Sequence, residues 1–162
     1  MNKFLMALMA LTLIALSSCN NSKKVNSKNT EMVFKIKETP CFGKCPVYEM
    51  EIYRNGFVKY TGRNFVEKEG EYQKTISKKE VESLIDLFNE AAFFSLKDEY
   101  QGEMTDLPTV YTTFKYEGKS KTIENYYGAP DELRKLENAL RAIGKDEEGW
   151  EKVEKDEEEK RK

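Results

Sequence analysis

The 162-residue chain contains no histidine. That removes the commonest general base and the commonest metal ligand of proteins. No Gly-x-Ser-x-Gly elbow or Ser-x-x-Lys pattern takes its place. A nucleophile needs an adjacent base, so no catalytic residue can be assigned and the expectation is a protein that is not an enzyme and uses no cofactor. Long apolar runs are missing too. None reaches the roughly 20 residues with which a helix crosses a bilayer. Charge of one sign is also not in excess: 27 Lys and Arg face 29 Asp and Glu, a net charge of −2. The basic residues are scattered along the chain, so there is no counterion-release footprint and nucleic acid is not expected as a partner.

What is present begins with an export signal. Lys3 supplies a positive n-region, Phe4 to Leu16 an apolar h-region, and the small residues Ser17 and Ser18 precede Cys19. This is the layout of a secretory leader. Leu16-Ser17-Ser18-Cys19 resembles the lipobox of bacterial lipoproteins, which implies cleavage before Cys19 and a diacylglyceryl group on its thiol. A chain carrying two or more acyl groups is held firmly on a membrane. The organisation expected is therefore a signal peptide over 1–18, a lipidated cysteine and flexible tether over 19–30, one domain over 31–144 and a charged tail over 145–162. The tether has Val25 as its only apolar residue and cannot offset its ordering entropy by burial. Extended, it would span roughly 35 to 40 Å. Asn20 and Asn21 follow the cysteine, so no acidic retention signal is visible. The expected location is the bacterial cell envelope, lipid-anchored and facing the periplasm on the outer membrane.

Three cysteines occur, and with Cys19 consumed by lipid, Cys41 and Cys45 remain as a pair in an oxidising compartment. Gly43 lets the short loop fold back to disulfide distance. Loop closure over so few residues is worth about 2 kcal/mol, enough to shape a turn. A thiol redox centre is the alternative, although active dithiols of the thioredoxin kind use Cys-x-x-Cys at a helix start. Zinc needs about four ligands, and two thiolates without histidine do not supply them.

The domain reads as short strands and two helices. Met32, Phe34 and Ile36 alternate with lysines over 31–38, and Tyr48, Met50 and Ile52 alternate with glutamates. Asn55-Gly56 then leads into Phe57 to Tyr60, a strong hairpin signal. Glu71 to Ile76 offers a fourth strand. Ser77 and Glu80 form a capping box, followed by Val81, Leu84, Ile85, Phe88 and Ala92 at helical spacing. A polar loop to about Pro108 precedes a second hairpin, Val110 to Tyr116 and Lys119 to Tyr127 about Glu117-Gly118. Pro130, Asp131 and Glu132 open a second helix lined by Leu133, Leu136, Leu140 and Ile143, with Gly144 as its stop. Runs of strands joined by tight turns predict an α+β fold: an antiparallel sheet of about five to six strands with two helices packed on it. The tail from Lys145 reads as solvated, with Trp150 able to dock.

The string Cys41-Phe42-Gly43-x-Cys45-Pro46-x-Tyr48, followed by Ile52, Gly56, Val58, Tyr60 and Gly62, resembles a CFGxCP-type family of uncharacterised bacterial envelope lipoproteins, a domain of unknown function. The likeness continues through Thr105-Asp106-x-Pro108-Thr109 and Tyr127-Gly128-Ala129-Pro130 to Trp150. It implies an envelope location and an α+β domain, and carries over no catalytic residue.

The leading expectation is a membrane-anchored binding or structural module that meets an envelope protein or the cell wall through a sheet face or the loops around Cys41 and Cys45. Phe42, Lys44, Tyr126 and Tyr127 are its candidate contacts, because aromatic side chains supply contact area at low entropic cost. A thiol-disulfide factor using Cys41 and Cys45 is one alternative. A calcium-dependent module using Asp98, Glu99 and Asp106 is the other, on the strength of their oxygen ligands, although the EF-hand order is absent.

Overall fold

A computed structural model of the chain describes residues 31–154. The expected leader, Cys19 and the expected tether lie outside the described residues, as does the tail beyond residue 154. Strands β1 (Met32–Glu38), β2 (Val47–Tyr53), β3 (Phe57–Asn64) and β4 (Gly70–Thr75) come first, then helix α1 (Lys78–Glu90) and a short 3₁₀ turn, Phe93–Ser95. Strands β5 (Glu99–Tyr100), β6 (Val110–Tyr116) and β7 (Lys119–Asn125), helix α2 (Asp131–Lys145) and strand β8 (Glu151–Lys152) follow.

The expected α+β fold on an antiparallel sheet of five to six strands is corrected here. Eight strands form one open, mixed sheet in the order β5-β7-β6-β1-β2-β3-β4-β8. β5 runs parallel to β7, and the other neighbours are antiparallel. The two additions are two-residue strands in stretches read as a polar loop and a solvated tail. So short a strand has no room for the alternation that marks longer ones.

Local signals explain the long elements. Gly56 takes φ of +89° at the β2–β3 turn, and a Cβ there would lie 2.2 Å from the Ile76 carbonyl oxygen, so only glycine fits. Ser77 Oγ accepts from the Glu80 amide at 3.2 Å while Glu80 accepts from the Ser77 amide at 2.8 Å, closing the capping box. Helix α1 ends at Glu90, before Ala92, which is exposed and left-handed at φ 47°. In α2, Gly144 lies within the last turn and Asp146 is the C-cap.

Both helices cover one face of the sheet. Phe88 of α1 packs on Phe34 and Phe114, with ring centroids 4.8 and 5.0 Å away. Helix α2 crosses the strands, with Glu137 reaching Asn125 of β7, Arg141 reaching Glu38 of β1, Gly144 lying beside Tyr60 of β3 and Asp146 pairing with Lys74 of β4. Apolar side chains between these layers form a single core. The opposite face carries paired polar groups: Lys35 bonds Glu49 at 2.9 Å and Glu51 at 3.4 Å, and the Thr113 and Thr122 hydroxyls are 2.8 Å apart. Among the described residues no helix is long and apolar enough to cross a membrane.

Candidate ligand cleft at the disulfide end of the sheet

Strand parity aims a charged residue into the covered face. Phe34 and Ile36 of β1 point at the helices, and Glu38, two residues further, must do the same. Helix periodicity does likewise for α2. Glu137 shares the stripe of Leu133, Leu136 and Leu140, and Arg141 lies one turn beyond Glu137. These side chains meet where α2 passes over the end of β1. Arg141 Nε donates to Glu38 Oε1 at 2.6 Å, and the Tyr48 hydroxyl donates to the same oxygen at 3.0 Å. Arg141 also faces Glu137 Oε2 at 3.5 Å and Asn138 Oδ1 at 3.0 Å, and Asn125 Nδ2 donates to Glu137 Oε1 at 2.8 Å.

Burial sets the electrostatics of this network. Glu137 is 2 % exposed, and desolvation raises its carboxyl above the ordinary range against the pull of Asn125 and Arg141. Desolvation also holds the Tyr48 hydroxyl far above its usual pKa, with Glu38 adding to the effect. Tyr60 is pushed up to about 12, again chiefly by desolvation. Arg141 stays charged, because Glu38 and Glu137 outweigh its own desolvation. Both tyrosines are therefore protonated donors at neutral pH.

A cleft of about 460 Å³ opens on this network. Glu38, Tyr48, Tyr60 and Arg141 line it together with Pro46, the β3–β4 loop from Phe65 to Lys68, and Gly144, Lys145 and Glu147 at the end of α2. The loop is held close by Gly62, where a Cβ would fall 1.8 Å from the Lys68 carbonyl oxygen. Lys68 Nζ reaches back to the Gly144 carbonyl at 3.4 Å. Beyond the cleft, the last described residues clasp β4. Lys74, its side chain only 3 % exposed, pairs with Asp146 at 2.8 Å and lies 4.7 Å from the Trp150 ring centroid. Trp150 packs edge-on against Tyr60 at 5.6 Å.

The residues singled out in the sequence divide by this geometry. Cys41 and Cys45 are joined in a disulfide with Cα atoms 5.7 Å apart. Their loop precedes Pro46 on the cleft wall, and Phe42 within it is 90 % exposed. Lys44 is exposed in the same loop. Tyr126 and Tyr127 lie after β7: the Tyr126 hydroxyl accepts from the Leu107 amide at 3.4 Å, and Tyr127 is exposed. Neither lines the cleft. Asp98 pairs with Lys121 at 2.7 Å, Glu99 begins β5, and Asp106 sits in a left-handed turn at φ 69°. Among the described residues no group of three or more His, Cys, Asp or Glu side chains is gathered to hold a metal ion.

Glu38, Arg141, Glu137 and Phe65 were not anticipated from the sequence. The signal for the first three was a charged residue on an apolar stripe, whereas Phe65 gave none, since a lone aromatic in a loop is commonplace. No curated protein matches the chain. The sequence pattern of one family, a domain of unknown function (DUF6438), matches residues 32–144. Because that match runs from the first residue of β1 to within one residue of the end of α2, the chain belongs to the DUF6438 family.

Proposed function

We propose that the protein is a membrane-anchored envelope lipoprotein whose domain is a non-enzymatic binding module, and that it takes its partner at the cleft beside the Cys41–Cys45 loop. The observation that carries the binding reading is the pairing of a concave, partly apolar site with two uncovered aromatic side chains at one end of the sheet. Phe65 on the cleft wall is 54 % exposed, and Phe42 projects from the neighbouring disulfide loop. Val47 pairs with Asn64, so the two loops leave the sheet side by side. Exposed aromatics flanking a preformed cavity are the usual anchors of recognition. The far sheet face is a weaker candidate, because its lysines, glutamates and threonines already satisfy one another. The anchor reading rests on the leader and on Leu16-Ser17-Ser18-Cys19.

Two experiments test the two halves. Mass spectrometry of the protein from its native membranes should find residue 19 lipidated and N-terminal, and Cys19→Ala should release the protein into the soluble fraction. A bare residue 19 overturns the anchor. Photo-crosslinkers at positions 42 and 65 should capture an envelope component that one at position 122, on the far face, does not. Equal capture from all three overturns the cleft as the binding surface.

One observation favours a second reading, a thiol-disulfide factor. The Gly43 amide donates to Cys41 Sγ at 3.2 Å, a contact that would stabilise a thiolate after reduction. A reduction potential near those of oxidoreductases would support it, and one below about −300 mV marks a structural bridge.

A further inference from the structure

Resting on the cleft as binding site, we propose that its ligand is a neutral, polyhydroxylated molecule, a saccharide unit of one or two rings. Charge is the first argument. Arg141, Lys68 and Lys145 on the lining are matched by Glu38, Glu67 and Glu147. Glu38 is already neutralised by Arg141, and Lys68 is engaged by the Gly144 carbonyl and lies 5.7 Å from the Trp150 ring centroid. With three charges of each sign on its lining, the cleft offers an ionic ligand no net counter-charge in return for its lost hydration. An ammonium group at Glu38 would have to compete with the guanidinium.

Hydrogen-bonding capacity is the second argument. Arg141 and Tyr48 both address Oε1 of Glu38, so Oε2 is the oxygen left for a donor from the cleft. The Tyr60 hydroxyl has no hydrogen-bond partner among the described residues, although its ring is packed between Tyr48 and Trp150. With its pKa near 12 it stays a donor and acceptor. A hydroxyl can donate to the Glu38 carboxylate and accept from the Tyr60 phenol, whereas an ammonium has no acceptor for the phenol and an anion would face the carboxylate. Shape is the third argument. Phe65 and Val66 on the lining offer apolar surface to the carbon face of a ring, beside the polar groups of Glu38, Tyr48 and Tyr60. The volume of about 460 Å³ falls among ligand pockets of roughly 300–1,000 Å³.

Trp150 is the sole tryptophan of the chain and packs on Tyr60, a lining residue, so its fluorescence responds to changes at Tyr60. The full chain would be titrated with a panel of neutral disaccharides that includes one of N-acetylated amino sugars, and separately with a zwitterionic tripeptide and with inorganic phosphate. The expected result is saturable quenching or enhancement by a neutral disaccharide. It should weaken about tenfold in Tyr60→Phe, the worth of one lost hydrogen bond, and at least as much in Phe65→Ala. Neither substitution should disturb folding, since the Tyr60 hydroxyl has no partner among the described residues and Phe65 is exposed; an unchanged melting temperature checks this. A response to tripeptide or phosphate alone overturns the saccharide and leaves the cleft as a binding site. No response to any disaccharide, or a response unchanged in both variants, also overturns it. The binding-module reading is judged separately by the crosslinking contrast between positions 42, 65 and 122.

Discussion

Two ends of one sheet face, four residues apart along β1, are built on opposite principles. Around Phe34 the space under α1 is filled by Phe88, Phe93 and Phe114, with neighbouring ring centroids between 4.8 and 5.9 Å. Around Glu38 the space under α2 holds a carboxylate, a guanidinium, a phenol, a second carboxylate and an amide. The first end gains stability from area and close packing, and tolerates exchange among hydrophobic residues of similar volume. The second depends on every polar partner being present, since an orphaned buried charge costs more than its bond contributes. The cleft opens where this cluster is.

That contrast can be broken at either end. The largest effect is expected from Phe34→Ala, which removes a fully buried ring from the aromatic cluster and should cost about 3–5 kcal/mol, read as a lower urea midpoint. At the polar end, Arg141→Met should cost about 2–3 kcal/mol, below the figure for a fully buried pair because the Arg141 side chain is 22 % exposed. Adding Glu38→Gln to that variant should recover part of the loss, whereas Phe34→Ala should recover nothing, as a double-mutant cycle would report. Trp150→Ala removes the ring beside Tyr60 and Lys74 and should cost about 1 kcal/mol.

The smallest effect sharpens the comparison through pH. Burial raises the Glu137 carboxyl, so ionised Glu137 is less favourable in the fold than in the unfolded chain. Its contribution is whole below the ordinary carboxylate pKa and is lost as pH rises through the raised value. Glu137→Gln keeps an acceptor for Asn125 and removes the titration. Its urea midpoint should therefore rise relative to that of the parent as pH increases from about 4 to about 7. A constant difference between the two would sink the assignment of that slope to Glu137.

Several features were legible in the residues because their causes are local. The Asn55-Gly56 hairpin, the Ser77–Glu80 capping box and the closure of Cys41 on Cys45 each involve residues within four positions of one another. Lys74 could have been read as inward-facing from its parity with Tyr72 and Ile76, just as Glu38 follows Phe34 and Ile36. That inference needs trust in strand parity over the habit of placing charge outside. Strands β5 and β8 were not legible, because two paired residues carry no periodicity.

By itself the sequence determined where most elements start and stop, and which stripe of each is apolar. It also carried the residues on which the envelope proposal rests, the apolar run from Phe4 to Leu16 and Cys19. Tertiary structure alone decided that Arg141 meets Glu38, 103 positions earlier, and that Tyr48, Glu137 and Asn125 close the network around them. The physical reason is range. Turns and caps are specified by neighbours in the chain, whereas the partner of a buried charge is chosen by the path of α2 across the strands, a path that follows from the packing of the whole sheet.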